Sequence, residues 1–198
     1  MAAEQKREDI ADQRRRWKEG IADVDPSRLV FLDESGARTN MTHSYARAPR
    51  GQRVIEHAPA GHWCTTTMLG ALRWDRFEAP LVIEGAMDSV VFRGYVERML
   101  VPTLRPGDVV VMDNLSPHKT VGVQEAIEAA GATVRYLPPY SPDFNPIEFM
   151  WSKVKQHLRS AAARTHGQLV IAVGDAMHSV TPDDCRGFFA GCGYAGTH

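Results

Sequence analysis

The chain has 198 residues, of which 43% are hydrophobic and 24% charged, enough apolar material for one self-sufficient core, and this excludes wholesale disorder. Lys and Arg number 23 against 24 Asp and Glu, a formal net charge of −1, which excludes a uniformly basic, histone-like nucleic-acid binder but not a local basic surface. Three cysteines without a CxxC pair argue against a disulfide framework or a structural zinc site, and the absence of long apolar runs argues against a transmembrane helix or signal peptide, so we expect a cytosolic globular protein.

The first 25 residues are rich in both acids and bases and poor in apolar side chains. Glu8, Asp12 and Arg16 fall at the spacing of one helical face, where opposite charges can pair. We therefore expect a solvated linker helix over residues 1–25, ending before Pro26, and one domain over residues 26–198.

The first half of this domain has the pattern of antiparallel strands. Residues 29–32 form a short apolar run that ends in Asp33 and predicts a buried strand. An arginine-rich stretch without acids follows at residues 38–53, and segments 64–74 and 77–83 then read as the two strands of a hairpin.

The second half alternates helices and strands. We predict a helix from Asp88 or Ser89 to before Pro102, a buried strand over 109–112 that ends in Asp113, a helix over 118–130, a strand over 133–137, a proline-rich loop, a long helix over 147–163, and one or two short helices in the tail. Helices between strands imply parallel pairing, so the chain is predicted to have a mixed α/β sheet.

Two buried runs that each end in an aspartate suggest a shared site. If the strands are parallel neighbours, Asp33 and Asp113 lie side by side beyond their carboxyl ends, where α/β sheets gather ligand chemistry. Two such charges ~4 Å apart repel by about 4 kcal/mol at an effective dielectric constant of about 20, and a divalent ion removes this repulsion. Oxygen ligands favour Mg²⁺ or Mn²⁺. Either aspartate alone is better explained as a turn residue, and the site hypothesis depends on the pair.

A third acid, Glu148, begins the long predicted helix. With Asn145 as N-cap and Pro146 at the first helical position, it also fits a capping box, which is the better explanation of Glu148 taken alone. One polar stripe of the helix runs from Glu148 through Ser152 to Lys155 and Arg159. A stripe that is acidic at one end and cationic at the other suits a phosphate backbone passing a metal site, although a solvated helix face explains it as well.

Three segments together resemble a known family. FLDESG, VVVMDNLSPHK and YLPPYSPDFNPIEFMWSKVK are similar to the catalytic domain of mariner-type transposases, in particular the bacterial insertion-sequence branch, from about Arg28 to the C-terminus. The 34 residues between Asp113 and Glu148 match the spacing of that family.

The resemblance implies a ribonuclease-H-like fold, a mixed sheet flanked by helices, with a catalytic and metal-binding triad of Asp33, Asp113 and Glu148. It further implies two Mg²⁺ or Mn²⁺ ions, cleavage of transposon-end DNA and joining of the freed 3′-hydroxyl to target DNA. Two ions can serve both the attacking and the leaving oxygens of an in-line phosphoryl transfer.

Several polar side chains outside the triad are candidates for DNA binding, each with a solvated surface or turn role as the alternative. These candidates are Arg47, Arg50, Arg53, Asn114, His118, Lys119, Lys155 and Arg159.

Family members carry helix-turn-helix modules ahead of the catalytic domain, and residues 1–25 have no room for them. The chain is therefore a fragment, one half of a split reading frame, or a remnant. The partners implied are transposon-end and target DNA, with a homodimer and a separately encoded helix-turn-helix half left open. A bacterial, nucleoid-associated enzyme is the expected identity. A non-catalytic DNA-binding remnant and a metal-dependent nuclease without joining activity are the alternatives.

Overall fold

The computed structural model describes residues 7–42, 48–52, 65–114 and 121–194. Its strands are β1 (Leu29–Arg38), β2 (Thr65–Leu72), β3 (Phe77–Glu84), β4 (Val109–Met112) and β5 (Thr133–Tyr136). Its α-helices are α1 (Glu8–Ile21), α2 (Ser89–Tyr95), α3 (Val123–Ala129), α4 (Pro146–Ala161), α5 (His166–His178) and α6 (Pro182–Gly191). One π-helical segment, Val96–Leu100, extends α2, and short 3-10 turns cover Pro26–Arg28, Val101–Thr103 and Pro142–Phe144.

The five strands form one mixed sheet in the order β3-β2-β1-β4-β5. β1, β2 and β3 pair antiparallel, whereas β4 pairs parallel with both β1 and β5. The predicted arrangement, a hairpin followed by parallel crossovers, is confirmed. In the described residues, no helix is long and apolar enough to cross a membrane.

β1 is longer than the sequence predicts. It does not end at Asp33 but continues to Arg38, because it still pairs with β2 after its pairing with β4 has stopped at Phe31 and Val111. Asp33 therefore lies in the middle of a strand, at the level where β4 ends. The sequence does not predict this extension, because the length of β1 depends on how far it pairs with β2.

The sheet separates two hydrophobic layers. Phe31 and Val111 belong to the layer that α4, α5 and α6 cover, and their neighbours Leu32 and Met112 belong to the layer covered by α2 and α3. This alternation is the period of two that puts successive strand residues on opposite faces. Asp33 and Asp113, each two residues beyond Phe31 and Val111, consequently share the α4 side of the sheet.

Two of the predicted helices differ at their ends from the prediction. The long helix predicted over 147–163 spans Pro146–Ala161 and buries its apolar face as expected. The helix predicted over 118–130 is described from Val123 to Ala129, and residues 118–120 lie outside the described residues. Both tail helices are present as α5 and α6.

α1 is not simply a solvated helix. Ile10 and Ile21 are buried at 4% and 8% exposure, and the indole of Trp17 packs against the core. The expected charge pairing exists on the outer side, where Arg16 contacts Asp12 at 2.8 Å. The high charge content of this segment led to the prediction of a fully solvated helix, which missed its buried face. The division of the chain at residue 25 stays a prediction.

Candidate active site

The two aspartates lie level with each other on neighbouring strands. β1 and β4 pair in register as Phe31 with Val111, so Asp33 and Asp113, two residues further along each strand, follow at the same height. Asp33 is buried at 8% exposure and Asp113 is half-buried. The parallel pairing of two apolar runs is what brings together residues that are far apart in sequence.

Glu148 reaches the same place from above the sheet. It lies in the first turn of α4, which the buried side chains of Ile147 and Trp151 hold against the sheet, and it is exposed. All three acids line one cavity of about 480 Å³. Its other lining residues are Asn114, Asn145 and the segment 137–142.

The Asp33 carboxylate is held by two uncharged donors. The backbone N–H of Glu34 donates to Oδ1 at 2.8 Å, and the side-chain amide of Asn145 donates to Oδ2 at 3.1 Å. Asn145 is itself 5% exposed. Hydrogen bonds to a carboxylate favour its ionised form and fix its orientation.

This contact corrects the capping-box interpretation. The side chain of Asn145 makes no capping hydrogen bond to α4, because its amide is used by Asp33 across the sheet. α4 begins instead with Pro146 and with the carbonyl of Asn145, which accepts from the N–H of Glu148 at 3.1 Å. Asn145 is thus a site residue that the sequence analysis missed. Its signal, an Asn-Pro pair before a helix, was the same one that suggested a cap.

The donor set of the pocket is chemically suited to a hard divalent cation. Its three acids, together with the amide oxygens of Asn114 and Asn145, offer oxygen atoms, and the described lining residues contribute no thiol or imidazole. Within the described part of the chain, however, no three His, Cys, Asp or Glu side chains lie close enough together to hold a metal ion as they stand. The three acids line one pocket but do not approach each other to metal-binding distance. Glu148 is the most exposed of the three.

One edge of the pocket is a proline-rich segment in a strained conformation. Tyr140 has a φ of 54°, a left-handed value that non-glycine residues rarely adopt, and its side chain is 52% exposed at the rim. Such a conformation costs on the order of 1–3 kcal/mol and persists only where the surroundings hold it.

The DNA-binding candidates fall in several places. Asn114 is exposed and lines the pocket. Lys155 and Arg159 are half-buried on α4, about two and three helical turns beyond Glu148 on the same face. Arg50 is exposed. The remaining four, Arg47, Arg53, His118 and Lys119, lie outside the described residues.

A family model described as DDE superfamily endonuclease matches residues 28–170, a segment that contains all three acids. The chain belongs to this family. A relative within it is the transposable element Tcb2 transposase of Caenorhabditis briggsae, which is 26% identical over 102 residues. That alignment covers 50% of this chain and 37% of the Tcb2 protein, so the chain spans well under half of this relative.

Solved structures of Mos1 transposase share the fold. The Mos1 paired-end complex with the left transposon end superposes with a TM-score of 0.73 at 13% identity, over 96% of this chain and 59% of that one. A Mos1 paired-end complex with Mn gives 0.70 at 13% identity, over 98% and 60%. The catalytic domain of Mos1 mariner transposase gives 0.68 at 12% identity, over 98% and 90%. The expected ribonuclease-H-like, mariner-type fold is therefore confirmed.

Proposed function

We propose that this chain is the catalytic domain of a mariner-type transposase of the bacterial insertion-sequence branch, which cuts transposon ends and joins the freed 3′-hydroxyl to target DNA. The observation that carries the proposal is the convergence of Asp33, Asp113 and Glu148 on one cavity, beyond the carboxyl end of β4 and beside the middle of β1. Membership of the DDE endonuclease family and the Mos1-like fold support it.

Asp33, Asp113 and Glu148 are the residues that would hold two Mg²⁺ or Mn²⁺ ions. When bound, such ions stabilise charge on the attacking and leaving oxygens of an in-line phosphoryl transfer. The chain's own contribution is preorganisation. The Glu34 N–H and the Asn145 amide hold the Asp33 carboxylate in one orientation, and α4 fixes the height of Glu148 above the sheet.

The path of DNA follows from the cationic end of α4. Lys155 and Arg159 continue the face of Glu148 away from the pocket, so a phosphate backbone bound along this face passes the three acids. Asn114 and Tyr140 line the cavity and would contact DNA bound there. Arg47, Arg50, Arg53, His118 and Lys119 remain candidates for further phosphate contacts. A homodimer would bring two transposon ends together.

The proposal implies that inverted repeats flank the gene, and the test is a strand-cleavage and strand-transfer assay on DNA that carries such repeats. Asp33→Ala, Asp113→Ala and Glu148→Ala should each lower cleavage by on the order of a thousand-fold or more, because several kcal/mol of charge stabilisation depend on the ions. Glu128→Ala, which removes an exposed acid of α3, is the matched control and should cut like the parent.

Circular dichroism of each variant checks that the fold is retained. Cleavage by Asp113→Ala at the parent rate would refute the assignment of the triad. Nicking without joining would favour a metal-dependent nuclease, and DNA binding without any cleavage in Mg²⁺ or Mn²⁺ would favour a non-catalytic remnant.

A further inference from the structure

An arginine occupies the buried face of α1. Ile10, Arg14, Trp17 and Ile21 recur at intervals of four, three and four residues, so they lie along one helical face. The apolar members of this face pack on the domain, and the side chain of Arg14 is only 16% exposed. An arginine at such a position requires strong partners, since its charge is largely removed from water.

The partners of Arg14 are in the proline-rich segment. Its Nη1 donates to Ser141 Oγ at 2.7 Å and to Asp143 Oδ1 at 3.0 Å, and its Nη2 donates to Asp143 Oδ2 at 2.6 Å. The guanidinium also lies 4.1 Å from the ring centre of Phe144. The hydrogen bonds from Arg14 lower the pKa of Asp143 below its usual value. This bidentate, partly buried ion pair is of the stronger kind.

A second connection joins α1 to the same segment. The indole N–H of Trp17 donates to Tyr194 Oη at 3.1 Å, and the Tyr194 hydroxyl donates to the carbonyl oxygen of Phe144 at 2.7 Å. α1 therefore holds the segment directly through Arg14 and indirectly through Tyr194.

The segment that α1 holds is the edge of the pocket. It contains the strained Tyr140, and it leads without a break into Asn145, whose amide binds Asp33. A conformation with an unfavourable φ needs fixed neighbours, and Arg14 binds Ser141 directly after it. An unbroken series of contacts thus runs from α1 to the buried carboxylate.

We propose that Arg14 is a positioning residue for the metal site, which fixes the Ser141–Asn145 backbone and through Asn145 the orientation of Asp33. This inference rests on the proposed function, because it takes Asp33 to be a metal ligand. It places a determinant of metal affinity in α1, ahead of residue 28 where the family match begins.

The experiment is a calorimetric titration of Mn²⁺ into the full chain and its variants. Arg14→Met keeps the aliphatic stem and removes the guanidinium, and it should weaken Mn²⁺ binding about 10- to 100-fold, the range found when a residue that orients a ligand is lost. Arg16→Met, on the outer face of α1, is the matched control and should bind like the parent. Arg14→Lys should fall between them, because an ammonium cannot form the bidentate contact.

Hydrogen exchange on the metal-free protein provides a readout independent of metal. In Arg14→Met, the amides of residues 141–148 should exchange faster than in the parent, whereas those of β4 should not change. If Arg14→Met does not fold, the Mn²⁺ titration and the hydrogen-exchange measurement are made on Asp143→Asn and Arg14→Lys instead.

The outcomes separate the two proposals. Parent-like Mn²⁺ affinity or parent-like exchange at 141–148 in the folded Arg14 variants would overturn the positioning role alone. Failure of the unaltered chain to bind Mn²⁺, or equal binding by Asp33→Asn, would overturn the proposed function and the positioning role with it.

Discussion

The buried acids at the two ends of β4 differ in their hydrogen-bond partners. Where β1 and β4 begin, Asp108 is 1% exposed and accepts from the guanidinium of Arg73 at 2.7 Å and from the N–H of Arg105 at 2.8 Å. Arg73 is 2% exposed and also binds Glu78. At the other end of β4, the hydrogen bonds described for Asp33 come from uncharged groups, and the carboxylate faces an open cavity.

Asp108 thus has the surroundings of a structural carboxylate, and Asp33 has those of a carboxylate that binds a ligand. Burial lowers the pKa of Arg73, but its hydrogen bonds to Asp108 and Glu78 outweigh that effect and raise it, so this cluster stays charged and compensated by the protein itself. The Glu34 N–H and the Asn145 amide orient Asp33 beside an open cavity, where its carboxylate can meet a cation from solution. Two experiments test this distinction, and a third measures an ion pair elsewhere in the fold.

The largest effect is expected at the compensated end. Arg73→Met should lower the free energy of unfolding by about 3–5 kcal/mol, because it removes the buried guanidinium 2.7 Å from Asp108 and leaves this carboxylate, among the described cations, with only the longer, 3.9 Å contact to the exposed Arg28. Urea denaturation measures this free energy. The control is Arg76→Met, which removes a half-exposed arginine that also binds Glu78 and should cost under about 1 kcal/mol. If Arg73→Met does not fold, Arg73→Lys gives the partial loss. A change below about 1 kcal/mol would remove the contrast between the two ends.

A smaller and opposite pattern is expected at the pocket end. Without divalent ions, Asp33→Asn should change stability by less than about 1 kcal/mol, because the new side chain keeps an oxygen for the Glu34 N–H and the Asn145 amide can turn its oxygen to accept from the new NH2 group. Mn²⁺ at a hundred times its dissociation constant should stabilise the parent by about 2.7 kcal/mol and leave Asp33→Asn unaffected. A loss of several kcal/mol in the metal-free variant would mean that Asp33 is structural, like Asp108.

The smallest effect concerns an ion pair between α4 and α6, away from both ends. Hydrogen bonds from Lys153, and next from the Thr181 backbone, lower the pKa of Asp184 to about 2. Its folded pKa lies below the unfolded value of about 3.9, so the stabilisation is complete above pH 4 and is lost as the pH falls through about 2. Lys153→Met should therefore cost up to about 1 kcal/mol at pH 7, and the cost should shrink as the pH falls through about 2. In an Asp184→Asn background the same substitution should show no such pH dependence.

The parts of the fold that depend on local pattern were predictable. Two apolar runs gave β1 and β4, and the spacing of Ile147 and Trp151 gave the buried face of α4. Their parallel pairing was then enough to predict that Asp33 and Asp113 face one another across neighbouring strands.

The parts that depend on distant partners were not. Asn145 was assigned to its own helix because local rules favour a cap, whereas its amide binds a carboxylate 112 residues away. The inner face of α1 did leave a signal, since Ile10, Trp17 and Ile21 follow a helical period. The surrounding charges concealed it, and nothing local distinguishes Arg14 from the exposed arginines beside it.

The docking of α1 has a practical consequence for how the chain is divided. A version trimmed to begin at residue 28, where the family match starts, would uncover the apolar surface beneath Trp17 and Ile21 and release the Ser141–Asn145 backbone. The shortest version able to keep its pocket intact therefore starts upstream of the stretch by which the family is recognised.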